Sequence, residues 1–315
     1  MGLGLLNFLT RGVSFNPAKD IPSLKGKVIL VTGGNSGLGK QSIIELAPHE
    51  PELIWLCARG EARAQAVIDD VRKTVPNANI KPLDLDLASF ESIKNAARRV
   101  AAESDRLDVL MLNAGIMATP AGQTKEGYEL QFGTNHVGHA LLTKLLLPLL
   151  EKTAEQPASD VRVIVLSSVA HLGAPSGGIL FDSLKSEQAS VNTIYRYGQS
   201  KLANVLFAVE MARRYPKIKT IALHPGAVIS NLATPFSNSY AFLKPFVWLY
   251  MTAFAVSVED GVKNQLWATV SSDAKSGEYY MPVGSNTGAS ALSKDEELAK
   301  KLWEWTEKEL EDQTL

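Results

Sequence analysis

The chain has 315 residues, 45% hydrophobic and 21% charged, a balance that supports one large buried core. A formal net charge of −1 provides no broad basic surface and so excludes an electrostatic nucleic-acid binder. The one cysteine, Cys57, excludes an intrachain disulfide and is compatible with a reducing, cytoplasmic setting.

Residues 1–25 read as an N-terminal arm ahead of a single domain over 26–315. The stretch Met1 to Leu9 is apolar but far shorter than a membrane span, and it lacks the basic start and long apolar run of a secretory signal. It either packs on the domain or makes weak peripheral membrane contact, since Leu3, Leu5, Leu6, Phe8 and Leu9 would be greasy if exposed. From Lys27 onward, β-like apolar runs alternate with helix-period segments. Strands are predicted at Val28–Val31, Leu53–Leu56, Ile80–Leu83, Val109–Leu112, Val161–Leu166, Ile218–Leu223 and Glu278–Met281. Several are continuous apolar runs, as parallel strands buried on both faces require. Ala64, Val67, Val71 and Val75 share one helical face. This rhythm predicts an α/β fold: one doubly wound, Rossmann-like parallel sheet of about seven strands, with helices on both faces.

Two regions break the rhythm. Gly173 to Asn192 is rich in Gly, Ser and Pro and reads as a long surface loop. Ala233 to Phe254 is apolar and aromatic but broken by Pro235 and Pro245 with Lys244 inside, a poor membrane span. It reads instead as a lid, about 231–256, over an apolar pocket for a lipophilic small molecule. The tail predicts a packed helix over about 293–311, opened by Ser293 and Glu296 at capping-box spacing, with Leu298, Leu302 and Trp305 on one face.

Directly after the first strand runs Thr32-Gly33-Gly34-Asn35-Ser36-Gly37-Leu38-Gly39. Gly33, Gly37 and Gly39 permit a tight strand-to-helix turn and close backbone approach to a pyrophosphate, which the free N–H groups of the next helix would face. The second strand ends at Cys57-Ala58-Arg59 without the acid that holds the ribose 2′-hydroxyl of NAD. Arg59 either offers its guanidinium to a 2′-phosphate, with Asn35 beside it, or caps the strand and faces solvent. NADP(H) is accordingly expected over NAD(H). Asp84 and Leu85, at the end of the third strand, are placed beside the adenine.

Tyr197-Gly198-Gln199-Ser200-Lys201 sets a phenol and an ammonium one helical turn apart. A neutral phenol, with a reference pKa of about 10, is a poor base near neutrality, and a neighbouring cation would lower that value. Tyr195 has Gln199 four residues on and so no such partner. Ser167 and Ser168 follow the fifth strand, and Ser168 is the better candidate to hydrogen-bond a substrate oxygen where charge develops.

With Asn113-Ala114-Gly115 after the fourth strand, Asn135 in the next helix and Pro225-Gly226 after the sixth, these motifs stand in the order of a known family. From about Lys25 to Met281 the chain resembles the single-domain short-chain dehydrogenases/reductases. The runs Ser167-Ser168-Val169-Ala170-His171 and Ser200-Lys201-Leu202-Ala203-Asn204 are similar to the retinol-dehydrogenase-like subgroup and to fungal reductases of secondary metabolism. The resemblance implies that Tyr197 exchanges a proton with the carbonyl or alcohol oxygen. It also implies that Lys201 binds the nicotinamide ribose and that Asn135 holds a water linking Lys201 to solvent. Asn113, Ala114 and Gly115 would line the adenosine ribose side, and Pro225, Gly226 and Val228 the nicotinamide amide. Ser230 stands where the family often has Thr and keeps the hydroxyl. The family includes dimers and tetramers, and a monomer or a homodimer both fit this chain.

The remaining candidates read as structural. His49, His136, His139, His171 and His224 have no zinc-like pairing, Cys57 ends a buried strand, and Trp303 and Trp305 anchor the last helix. A catalytically idle NADP(H) sensor or scaffold is the competing reading, opposed by the intact Asn135, Ser168, Tyr197 and Lys201 set. A nucleotide-sugar epimerase would need a different glycine spacing and a larger C-terminal domain. A membrane-bound retinoid enzyme is weakened by the short arm.

Overall fold

The computed structural model describes residues 12–228 and 255–315. Ser230, the stretch Met1 to Leu9 and nearly all of the expected lid lie outside the described residues. Seven strands form one sheet: β1 (Val28–Thr32), β2 (Leu53–Ala58), β3 (Ile80–Asp84), β4 (Val109–Leu112), β5 (Val161–Leu166), β6 (Ile218–Leu223) and β9 (Tyr279–Tyr280). Every neighbouring pair is parallel, in the order β3-β2-β1-β4-β5-β6-β9. A separate pair joins β7 (Ala227–Val228) to β8 (Ala255–Val256). The doubly wound sheet expected from the apolar runs is present, and β2 and β5 are buried along their whole length.

The helices that cover the sheet are α1 (Gly37–Leu46), α2 (Glu61–Arg72), α3 (Phe90–Glu103), α4 (Gly138–Ala154), α5 (Thr193–Arg214), α6 (Val258–Val270) and α7 (Glu296–Glu309). Ile43 of α1, Val67 of α2 and Leu266 of α6 pack on one face of the sheet. Ile93 of α3, Leu142 of α4, Leu206 of α5 and Leu302 of α7 pack on the other. Because all seven strands point the same way, their carboxyl ends share one edge. Chain order runs outward in both directions from β1 and β4, which opens a crevice between those two strands at that edge.

Local details depart from the sequence expectations for identifiable reasons. The helix after β2 ends at Arg72, so Val75 packs from a turn rather than from the helical face. The Gly173–Asn192 loop is not wholly superficial: Ile179 and Leu184 enter the core, and the Gln188 and Gln199 side chains bond to each other in the interior. The last helix is capped by Asp295, whose carboxylate accepts the Leu298 N–H at 2.9 Å. Ser293 instead sits in the preceding turn with its hydroxyl donating to the Ser290 carbonyl. The arm is anchored from Gly12 onward, with Phe15, Ile21 and Leu24 buried and Val13 N–H bonded to the Val283 carbonyl.

Helix α7 secures α5, the helix that carries Tyr197. Trp303 stacks on Phe207 of α5 at 5.4 Å between ring centroids and 14° between planes, with the Arg214 guanidinium against its indole ring. Trp305 meets Tyr128, Phe132 and Phe181. Removing the Trp303 side chain opens a cavity at this seam, and such truncations cost about 3–5 kcal/mol. Its buried indole N–H has no partner among the described residues, so that unmet group disappears with it and the loss falls at the low end of the range. Trp303→Ala is expected to lower unfolding stability by about 3 kcal/mol in urea denaturation; a loss below about 1 kcal/mol would contradict this role.

Candidate active site

The glycine turn joins β1 to α1. Gly33 has φ 67° and Gly37 φ 52°, conformations open to glycine at little cost. A Cβ on Gly39 would overlap the Gly33 carbonyl oxygen, so the helix can approach the strand this closely only with hydrogen at that position. Ser36 precedes α1 in extended conformation without capping it through its side chain. Among the described residues no side chain accepts from the first N–H groups of α1, as an anion-binding helix start requires. Asn35, Gly37 and Leu38 are half-buried in the same turn and Ser36 is exposed.

The turn is tied to β4. The Asn113 side chain donates to the Thr32 carbonyl at 2.8 Å, and the Ala114 N–H donates to the Thr32 hydroxyl at 2.9 Å. Gly115 follows at the crevice: a Cβ there would lie 3.3 Å from Asn135 Oδ1 and 3.4 Å from Lys201 Nζ. Thus β4 delivers its Asn-Ala-Gly segment between the glycine turn and the lysine. Arg59 is exposed just past β2, and no carboxylate pairs with it among the described residues. Asp84 is also exposed, but one of its oxygens accepts the Gly60 N–H at 2.8 Å. Leu85 turns its side chain into the core, which leaves only its backbone for any cofactor contact.

Around Asn135 the helix widens into a π-turn over Gly133–Val137. The side chain locks that turn to the segment after β4: Oδ1 accepts the Ile116 N–H at 2.9 Å and Nδ2 donates to the Ile116 carbonyl at 3.0 Å. Nδ2 also donates to Ser200 Oγ at 2.9 Å, which links Asn135 to α5 one residue before Lys201. Ser200 and His139, both bonded to Asn135, were not singled out from sequence as site residues. Their signal was spacing: Ser200 adjoins the lysine, and His139 lies one turn beyond Asn135.

Tyr197 and Lys201 are both 4% exposed on α5. Lys201 Nζ donates to the Leu166 carbonyl at 3.0 Å, at the end of β5, and stands 5.7 Å from the Tyr197 ring centroid. The Ser167 hydroxyl is committed to the Lys201 carbonyl at 2.6 Å. Ser168, half-buried, faces Tyr197 and opposes the upward push on its phenol. Burial nevertheless dominates and pushes Tyr197 up to about 12. The spacing predicts a lysine-lowered phenol; here the ammonium is bonded to a carbonyl instead of the phenol oxygen, and the phenol stays neutral. Burial also lowers Lys201 to about 8.

The turn after Ser168, Val169–Gly173, lies directly on α5. A Cβ on Gly198 would press to 2.9 Å from the Ala170 carbonyl oxygen and 2.8 Å from that of Gly173. The residue after Tyr197 is thus glycine because this contact fixes Ser168 against the phenol. Pro225, Gly226 and Val228 follow β6 at the same sheet edge, half-buried, with Gly226 at φ 97°. His136 is buried with Nε2 3.0 Å from Thr306 Oγ1, and Cys57 is buried with its thiol pushed up by desolvation. Among the described residues no cluster of three or more His, Cys, Asp or Glu is arranged to hold a metal ion, and no helix is long and apolar enough to cross a membrane.

Residues 27–241 match the family model for short chain dehydrogenase. A short-chain dehydrogenase/reductase of Aspergillus calidoustus is 38% identical, over 92% of this chain and 95% of its own length. Human retinol dehydrogenase 13 is 36% identical, over 95% of this chain and 88% of its own length. A crystal structure of an uncharacterized protein from Mycobacterium paratuberculosis superposes with a TM-score of 0.72 at 29% identity, covering 94% of this chain and 97% of that one. The chain belongs to the short-chain dehydrogenase/reductase family, oxidoreductases that use nicotinamide cofactors on the alcohol–carbonyl pair.

Proposed function

We propose that the protein is an NADP(H)-dependent oxidoreductase acting on a lipophilic ketone or aldehyde, or on the matching alcohol. The observation that carries this reading is the convergence of Ser168, Tyr197, Lys201 and Asn135 beside Gly115, facing the glycine turn across the sheet crevice. The residues present fit a dinucleotide. Gly33 and Gly37 make a positive-φ turn between β1 and α1, Gly39 lets α1 close on that turn, the start of α1 would face a pyrophosphate there, and Arg59 is exposed and available to a 2′-phosphate. Asn35, Ser36 and Leu38 would flank the phosphates, Asp84 and Leu85 the adenine, and Asn113 and Ala114 the adenosine ribose. Pro225, Gly226 and Val228 would border the nicotinamide. When bound, the nicotinamide supplies or accepts the hydride.

The protein's own part is the proton. In reduction the neutral Tyr197 hydroxyl donates to the carbonyl oxygen as negative charge grows there, and in oxidation the phenolate takes the alcohol proton. Ser168 donates a hydrogen bond to the same oxygen. Lys201 offers its remaining ammonium hydrogens to the ribose hydroxyls and its charge to the developing phenolate. The Asn135 amide is committed to Ile116 and Ser200, so a water held for Lys201 would rest on the Asn135 main-chain carbonyl. Support for a lipophilic substrate comes from the exposed Leu172, Ile194 and Tyr195, on the two elements that carry Ser168 and Tyr197.

The direct test is NADPH oxidation against ketones, aldehydes and quinones of graded size, with NADH as control. Wild-type protein is expected to turn over the apolar members with NADPH preferred, and Tyr197→Phe to lose about 10²–10⁴-fold in kcat while still binding cofactor. Equal turnover by Tyr197→Phe would remove the phenol from the mechanism. The pH dependence has a defined sign. Tyr197 keeps its proton up to about 12, whereas Lys201 loses its charge as pH rises through about 8. Carbonyl reduction is therefore expected to hold level below about 8 and decline above it on the Lys201 titration. A rate that climbs between pH 8 and 10 would contradict this assignment.

A further inference from the structure

His139 lies on α4, 2% exposed, and has no part in the chemistry described above. Its ring bridges distant parts of the chain. Nδ1 is 3.0 Å from the Asn135 carbonyl oxygen, and Nε2 is 2.9 Å from Thr32 Oγ1, 107 residues away. A carbonyl oxygen can only accept, so Nδ1 carries the hydrogen. Burial lowers this imidazole to about 4, so at neutral pH the ring is uncharged and Nε2 can only accept.

The Thr32 hydroxyl therefore donates to His139, at 2.9 Å, in preference to the Met111 carbonyl at 3.3 Å. Its oxygen in turn receives the Ala114 N–H at 2.9 Å. The donors line up in one direction: Ala114 to Thr32, Thr32 to His139, His139 to Asn135. Reversing the histidine tautomer would set an Nε2 hydrogen against the Thr32 hydroxyl and leave the Asn135 carbonyl facing a bare nitrogen. One end of the chain is the strand end that opens the glycine turn; the other is the π-turn that adjoins Lys201 and Ser200.

We propose that His139 is a positioning residue that couples the cofactor turn at Thr32 to the proton-handling end of the site at Asn135, in its Nδ1–H tautomer. The inference rests on the oxidoreductase reading, but two of its readouts do not require turnover. His139→Asn places an amide nitrogen near Nδ1 and keeps the donation to Asn135 while losing the acceptor for Thr32. His139→Gln places an amide oxygen near Nε2 and does the converse.

Both variants are expected to lose about tenfold in kcat/KM, the effect of one lost buried hydrogen bond, but to lose it differently. His139→Asn should weaken NADPH binding about tenfold in a fluorescence titration and change kcat less than threefold, whereas His139→Gln should lower kcat about tenfold and change NADPH affinity less than threefold. Equal changes in both constants for both variants, or none, would overturn the proposal. Nitrogen-15 NMR of the wild-type imidazoles supplies a readout independent of any variant. A neutral Nδ1–H tautomer for His139 at pH 7 is expected, and an Nε2–H tautomer would overturn the assignment. If wild-type protein reduces no carbonyl while the tautomer and the NADPH affinities behave as stated, the oxidoreductase reading fails and the coupling stands.

Discussion

Lys201 buries an ammonium group, and among the described residues no carboxylate stands beside it. A buried charge without a counter-ion is expensive, and the fold reduces the cost by limited means. One main-chain carbonyl, that of Leu166, accepts from it, and the face of the Tyr197 ring lies within cation–π range. The residual cost appears as a lysine lowered to about 8, poised to lose its proton just above neutrality. With one acceptor among the described residues the ammonium keeps further donors for a bound ligand, which in the proposed reading is the nicotinamide ribose. The same carbonyl also accepts from Asn204, so the end of β5 sets the position of α5 at two points one turn apart.

The other parts of the site derive their positions from the same sheet edge. β1 ends in the glycine turn, β4 in Asn113-Ala114-Gly115, β5 in Ser167-Ser168 and β6 in Pro225-Gly226. Each segment is irregular backbone on a rigid strand end, the arrangement that lets buried parallel strands present polar chemistry at one rim. Side chains then fasten the rim together. Asn113 and Thr32 hold β4 to the glycine turn, Asn135 holds the π-turn to α5, and Gly198 lets the Ser168 turn close on the phenol.

What the sequence made legible follows from the range of the interaction involved. β2 and β4 were readable because burial on both faces demands unbroken apolar runs, Leu53–Ala58 and Val109–Leu112. Tyr197 and Lys201 were readable because a helix repeats every turn. The final helix was found but its cap misplaced: Ser293 and Asp295 both carry capping side chains, and only the backbone path decides which one accepts a first-turn N–H. Val75 matched the apolar face of α2 although the helix stops at Arg72. The pairing of Ser167 with the Lys201 carbonyl, and of His139 with Thr32, spans 34 and 107 residues. No local pattern encodes such contacts. The Tyr197 phenol shows the same limit, since spacing supplies the cation but burial decides the balance.

In the proposed reaction a hydride passes directly between a nicotinamide and a carbonyl carbon while Tyr197 handles the proton. Reduction with NADPH deuterated at the transferable C4 position, in ordinary water, tests it most directly by mass and NMR analysis of the product. Deuterium is expected on the carbinol carbon and none on the new hydroxyl. A product without deuterium at that carbon, with the label released to water, would contradict it.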